Sequence, residues 1–211
     1  MKIEDRVVEA IEAGIEGKWE MGMTLICPAI EATARKKLSK QAMTNREFKS
    51  FVRDNYFIIE AFIGAGLNLQ ETKFPNVVLD TDRGRVLEAP DFADIVYHAF
   101  RCALEHGHEI ADKFAFTTSH SQGVSKWVIG MRDGRIHVPD KTLWALIACV
   151  IFSEANADLS TNTSYYLNWG GAPAGREPPY RFDVDVFWGG EHQVKRFLKS
   201  KNLIRVAVNP Q

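Results

Sequence analysis

The longest apolar run in the chain covers residues 143–152, and it limits the fold more than any other feature. Asp140 stands ahead of it in the position of a helix cap. Leu143, Leu146, Ile147, Val150 and Ile151 then spread apolar surface around most of the helix circumference. A helix apolar on nearly all sides has to be enclosed by other elements. The run is too short to cross a bilayer, so the enclosing shell is protein. A chain of 211 residues can supply such a shell as one large domain, or one domain with a small appendage, without disulfide staples.

The rest of the chain divides into helical and extended patterns. Ile3, Val7, Val8, Ile11 and Ile15 recur at helical spacing and Gly17 closes the run. A second helix is expected over 21–38, with Pro28 placed to kink or restart it. A third runs from an Asn45 cap through Phe48, Phe51, Val52, Ile59 and Phe62 to the glycines at 64 and 66. Residues 67–89 are rich in turn formers and hold one short strand at 76–79. Asp91 caps a fourth helix reaching about His106. Strands at 126–131 and 135–138 flank Asp133-Gly134, a dipeptide suited to a type I′ hairpin. Residues 156–179 read as loop. Alternation at Phe182, Val184 and Val186, a helix over 191–199 and a strand over 203–208 make a small β-α-β element. The expected architecture is therefore mainly α. A helical domain over 1–155 carries a hairpin at about 126–138, and a loop and small α/β appendage over 156–211 packs on it.

Composition narrows the function. Net charge is −1, so no global field holds a polyanion and any nucleic-acid contact has to be local. Cys27, Cys102 and Cys149 are far apart, and no Cys-x-x-Cys pair occurs; this argues against a disulfide framework or a zinc ribbon. The amphipathic, acidic N-terminus MKIEDRVVEAIEAG is unlike a secretory leader. The expected setting is the cytoplasm, with no membrane partner.

Reactive side chains group most tightly in DFADIVYHAFRCALEHGH, residues 91–108. Phe92, Ile95, Val96, Ala99 and Ala103 share one helical face, and Arg101 falls opposite with Asp94, His98 and Glu105. One account is purely structural: Arg101 and Glu105 form an i,i+4 pair, His106 meets the negative end of the helix dipole, and Gly107 caps the helix. The other is chemical. Arginine holds phosphate, and an imidazole titrating near neutrality moves a proton. The two side chains point about 140° apart on an ideal helix, so two copies of the helix meeting across a two-fold axis are needed to place both on one substrate. Arg132-x4-His137 repeats the spacing but straddles the Asp133-Gly134 turn and carries no such meaning.

The string Phe100-Arg101-Cys102-Ala103-Leu104-Glu105-His106-Gly107 resembles the R-x4-6-H signature of HEPN-domain proteins, in a form similar to that of uncharacterised bacterial HEPN-like proteins. The resemblance implies an α-helical bundle, a homodimer, and a metal-independent endoribonuclease with Arg101 and His106 catalytic and Cys102, Glu105 and His98 in support. It implies no cofactor and no metal. Cys102 departs from the polar residue common after the arginine in ribonuclease members, and a thiol is a weak hydrogen-bond partner. The alternative is a non-catalytic regulatory or protein-interaction module on the same scaffold.

Other constellations are weaker. His98, Cys102 and His106 bear zinc-type donors, but each step of four drifts about 40° around a helix. Ser119-His120-Ser121 lacks a nucleophile elbow. Ile63-Gly64-Ala65-Gly66 closes a helix instead of following a strand, so it is no dinucleotide fingerprint. Arg35, Lys36 and Lys37, with Lys40, Arg46 and Lys49, form the densest basic region. They read either as a solvated helix end or as a phosphate contact.

Overall fold

Around the central apolar run the computed structural model describes residues 1–63, 68–80, 86–98, 114–118, 129–169 and 180–201. The run itself is α6 (Lys141–Phe152), and from Thr142 to Phe152 every residue but Trp144 is buried. It is packed by α1 (Ile3–Ile15), α2 (Trp19–Leu38) and α4 (Tyr56–Ile63). Asp140 caps it as expected, its side chain accepting from the Lys141 amide at 2.8 Å. One apolar cluster extends through the described residues from Val7 to Leu198. No helix among them is long and apolar enough to cross a membrane.

The expectation of a mainly α-helical bundle with one inserted hairpin is overturned. Among the described residues seven helices share the structure with three small sheets. β1 (Val78–Asp80) pairs antiparallel with β2 (Val86–Glu88). β3 (Phe114–Thr117), β5 (Arg135–Pro139) and β4 (Gly130–Arg132) form a sheet with β5 in the centre, antiparallel to β4 and parallel to β3. β6 (Tyr166–Trp169) pairs antiparallel with β7 (Tyr180–Asp183). Strands of three or four residues are too short for an apolar-polar alternation to register. Two of the pairings, Phe114 with Ile136 in the parallel pair and Tyr166 with Asp183, join segments distant in sequence.

The anticipated hairpin is present. Asp133 (φ 52°) and Gly134 (φ 74°) both adopt the positive φ of a type I′ turn. β6 lies inside the stretch read as loop. The strand read through Val186 ends at Asp183, where the Val186 amide turns back to the Asp183 carbonyl at 3.1 Å. α7 (Glu191–Ser200) follows; the tail strand at 203–208 lies outside the described residues.

Two helix expectations also change. The helix from Asn45 is two, α3 (Asn45–Asp54) and α4. Between them the Asn55 side-chain Nδ2 donates to the Phe51 carbonyl at 2.8 Å, while the Asn55 backbone carbonyl accepts from Ile58 and Ile59. Asparagine here competes with the helix ladder and restarts it. Thr44, not Asn45, is the cap: its hydroxyl accepts from the Glu47 amide at 3.3 Å and the Glu47 carboxylate accepts from the Thr44 amide at 2.8 Å, a capping box. α2 runs through Pro28 unbroken.

Candidate functional site

Asp91 opens α5 (Phe92–Val96), the described start of the segment that carries Arg101 and His106. Its cap is reciprocal. Asp91 Oδ1 accepts from the Asp94 amide at 2.9 Å, and Asp94 Oδ2 accepts from the Asp91 amide at 3.2 Å. This satisfies donors that a helix N-terminus otherwise leaves open. A third donor, the Ala93 amide, reaches the Tyr56 hydroxyl oxygen at 2.9 Å.

The outer carboxylate oxygens meet cations from elsewhere in the chain. Arg53 Nε donates to Asp91 Oδ2 at 2.9 Å and Arg53 Nη2 approaches Asp94 Oδ1 at 3.4 Å. Lys49 Nζ donates to Asp94 Oδ1 at 3.0 Å, and Lys73 Nζ to Asp91 Oδ2 at 3.3 Å. The polar side of the helix at Asp94 is therefore covered by α3. Phe92, Ile95 and Val96 are buried, as their spacing implies, and Ala93 is buried with them.

Burial alone would raise the Asp91 carboxyl. The Asp94 amide and the Arg53 guanidinium, with Lys73 behind them, more than offset it and hold Asp91 below the ordinary carboxylate value. Burial and the Asp91 charge push the Tyr56 phenol up. A carboxyl lowered in the folded state contributes stability that is present above its unfolded pKa of about 3.9 and is lost as pH falls through the lower folded value. Urea midpoints are thus expected to fall below about pH 4. Asp91→Asn should lower the midpoint near neutrality and flatten that acid limb. An unchanged limb in the variant would show that Asp91 does not drive it.

Arg101, Cys102, Glu105 and His106 lie outside the described residues. His98 is half-buried, with its ring centroid 5.0 Å from that of Tyr97 in an edge-on contact. Arg35, Lys36 and Lys37 occupy the last turn of α2, and each is engaged within the chain. Arg35 donates to the Gln41 carbonyl at 3.3 Å, Lys36 pairs with Asp158, and Lys37 lies 5.8 Å from the Phe51 ring centroid. Among the described residues no group of three His, Cys, Asp or Glu side chains is placed to hold a metal ion.

An open groove of about 630 Å³ lies elsewhere, between α1 and residues 160–163. Glu4, Asp5 and Glu9 line one wall and Thr161 and Thr163 the other. Its carboxylates give it the wrong sign for a phosphate backbone.

Sequence reasoning did not place Arg53 and Lys73 at the head of α5. The Asp91-x-x-Asp94 spacing signals a box of reciprocal caps, but nothing local names the cations that complete it.

A profile of the Rv1289 family matches residues 2–211. The chain is similar to Uncharacterized protein Mb1320 of Mycobacterium bovis, and to Uncharacterized proteins MT1327 and Rv1289 of Mycobacterium tuberculosis. Each is 24% identical over 211 residues, which cover 99% of this chain and 93% of the relative. No solved structure matches. With the profile extending over nearly its whole length, the chain belongs to the Rv1289 family.

Proposed function

We propose that this protein is a cytoplasmic, homodimeric RNA-binding protein that cleaves RNA without a metal, using Arg101 and His106. One observation carries the reading: an arginine and a histidine five positions apart, followed by glycine, at the end of the helical pattern that Asp91 opens. The likeness to the HEPN ribonuclease motif supports it. The anchored head of α5 is consistent with a helix whose direction matters, because reacting groups work only when held in place.

The chemistry follows from the side chains. The Arg101 guanidinium binds the non-bridging oxygens of a phosphodiester. A neutral His106 imidazole takes the proton from the ribose 2′-hydroxyl. The O2′–P bond forms as the P–O5′ bond breaks, and a protonated His106 of the second copy returns a proton to O5′. The products are a 2′,3′-cyclic phosphate and a 5′-hydroxyl.

The test is direct. Purified dimer is incubated with single-stranded RNA and with transfer RNA in the presence of a chelator, and cleavage rates are compared with those of Arg101→Ala and His106→Ala. His106→Ala should lose about a hundredfold in rate. The reading fails if the dimer leaves both RNAs intact and the double variant binds them as well as the parent. It also fails if the protein is monomeric.

Cys102 favours a second reading. A thiol after the arginine is a poor hydrogen-bond partner for phosphate, which suits a module that binds without cleaving. Under that reading Arg101→Ala lowers affinity and no variant alters a rate.

A further inference from the structure

α3 carries cations at residues 46, 49 and 53, a spacing of three and then four that places them on one side of the helix. Arg46 is exposed and makes no ion pair among the described residues. Lys49 and Arg53 bridge to Asp94 and Asp91 at the head of α5. Lys73 joins Asp91 from outside, its side chain 57% exposed. Three cations thus meet two carboxylates and Arg46 adds a fourth positive charge on the same side of α3, an excess of two in a chain whose net charge is −1.

The two carboxylates are also committed inward, each giving one oxygen to a backbone amide of the cap. The other acidic side chains of α3, Glu47 and Asp54, lie about 80–100° around the helix from Arg46, and Glu47 is paired with Lys40. The stripe from residue 46 to 53 extends about 10 Å along the helix axis. It ends where α5 begins, the helix whose sequence pattern leads on to Arg101 and His106.

We infer that this edge of α3, with Arg46, Arg53 and Lys73, is the surface that binds the phosphate backbone of single-stranded RNA. The inference rests on the RNA-cleavage reading above and adds to it where the strand lies before it reaches the reacting pair. Arg35, Lys36 and Lys37 are not required. The Arg53 and Lys73 side chains stay 35% and 57% exposed while they hold the carboxylates, and Arg46 contributes a guanidinium with no ion-pair partner among the described residues.

The probe is a fluorescein-labelled oligouridylate methylated at every 2′-oxygen, so that it binds without being cut. Anisotropy titrations of the full chain over a series of salt concentrations give affinity and its salt slope. Arg46→Ala with Lys73→Ala should weaken binding about tenfold at low salt and reduce the slope by about 1.4, at about 0.7 per lost phosphate contact on a single strand. Lys18→Ala removes an exposed cation at the opposite end of α2 and should change neither quantity. The cleavage step reports separately: Arg46→Ala with Lys73→Ala raises KM on cleavable RNA and leaves the single-turnover rate at saturation unchanged.

If the parent binds the probe and the double variant binds it with the same affinity and slope, the surface is wrong and the cleavage reading stands. A loss as large in Lys18→Ala also overturns the surface, because the effect is then one of net charge. If the parent binds no RNA at any salt concentration, both fall.

Discussion

Gly189→Ala should destabilise the protein by about 3 kcal/mol, combining a left-handed backbone penalty with overpacking. Gly189 has φ +73°, and an added methyl would sit 2.5 Å from both Cα and Cβ of Ala157. The nearest atoms include backbone, so no side-chain rotation relieves the overlap. The Gly189 amide also donates to the Ile151 carbonyl at 2.9 Å, tying the turn before α7 to the last turn of α6. Moving the glycine away from Ala157 would therefore stretch a bond to the central helix. Gly17 provides the control. It has the same φ of +73° with nothing within 4 Å of the added methyl, so Gly17→Ala should cost only the conformational part, about 1 kcal/mol. Urea denaturation of both variants separates the two contributions. Equal losses at the two positions would show that the approach to Ala157 contributes nothing.

Phe152→Ala should cost more, about 4 kcal/mol. Phe152 is fully buried, and its ring centroid lies 6.1 Å from Phe62, 5.4 Å from Phe182 and 6.2 Å from Phe187. It therefore joins α4, β7 and the turn before α7 at the end of α6. Removing the ring leaves a cavity bounded by stiff aromatic neighbours that cannot collapse into it, which is the costly case. For a chain of this size the loss corresponds to a drop of about 8–16 °C in melting temperature. Calorimetry of parent and variant measures it. A shift of only a few degrees would mean that the aromatic cluster repacks, and that α6 and β7 are joined mainly by other contacts.

Much of the helical part was legible because its signals are local. The apolar circumference of α6, the caps at Asp91 and Asp140, the spacing in α1 and the Asp133-Gly134 turn each lie within a few residues of what they specify. Apart from the hairpin and the short strand at Val78, the sheets were not legible for the opposite reason. Phe114 and Tyr166 acquire strand neighbours from partners that no short window contains, and tertiary context decides such pairings. Asn55 shows a finer failure. Its side chain competes for the Phe51 carbonyl and divides a helix that the apolar period alone carries straight through. At the candidate site the sequence shows the acidic cap but not Arg53, Lys49 or Lys73, since these converge only when α3 and the segment before β1 pack against the head of α5. Arg101 and His106 remain known by spacing and chemistry, and their roles rest on the cleavage experiment.

β5 passes from Pro139 straight into the Asp140 cap, and the Asp140 amide donates to the Thr117 carbonyl at the end of β3 at 3.1 Å. The hairpin and the central helix are consequently geared together. One extra residue in the Asp133-Gly134 turn would turn the inward side chains of β5 outward, or else force the slip into α6, where a single position is about 100° of rotation. This exposed turn is thus a poor place for an affinity tag or a grafted loop, despite its outward position. The α1–α2 connection around Gly17, with open space about it, is the better site for insertion.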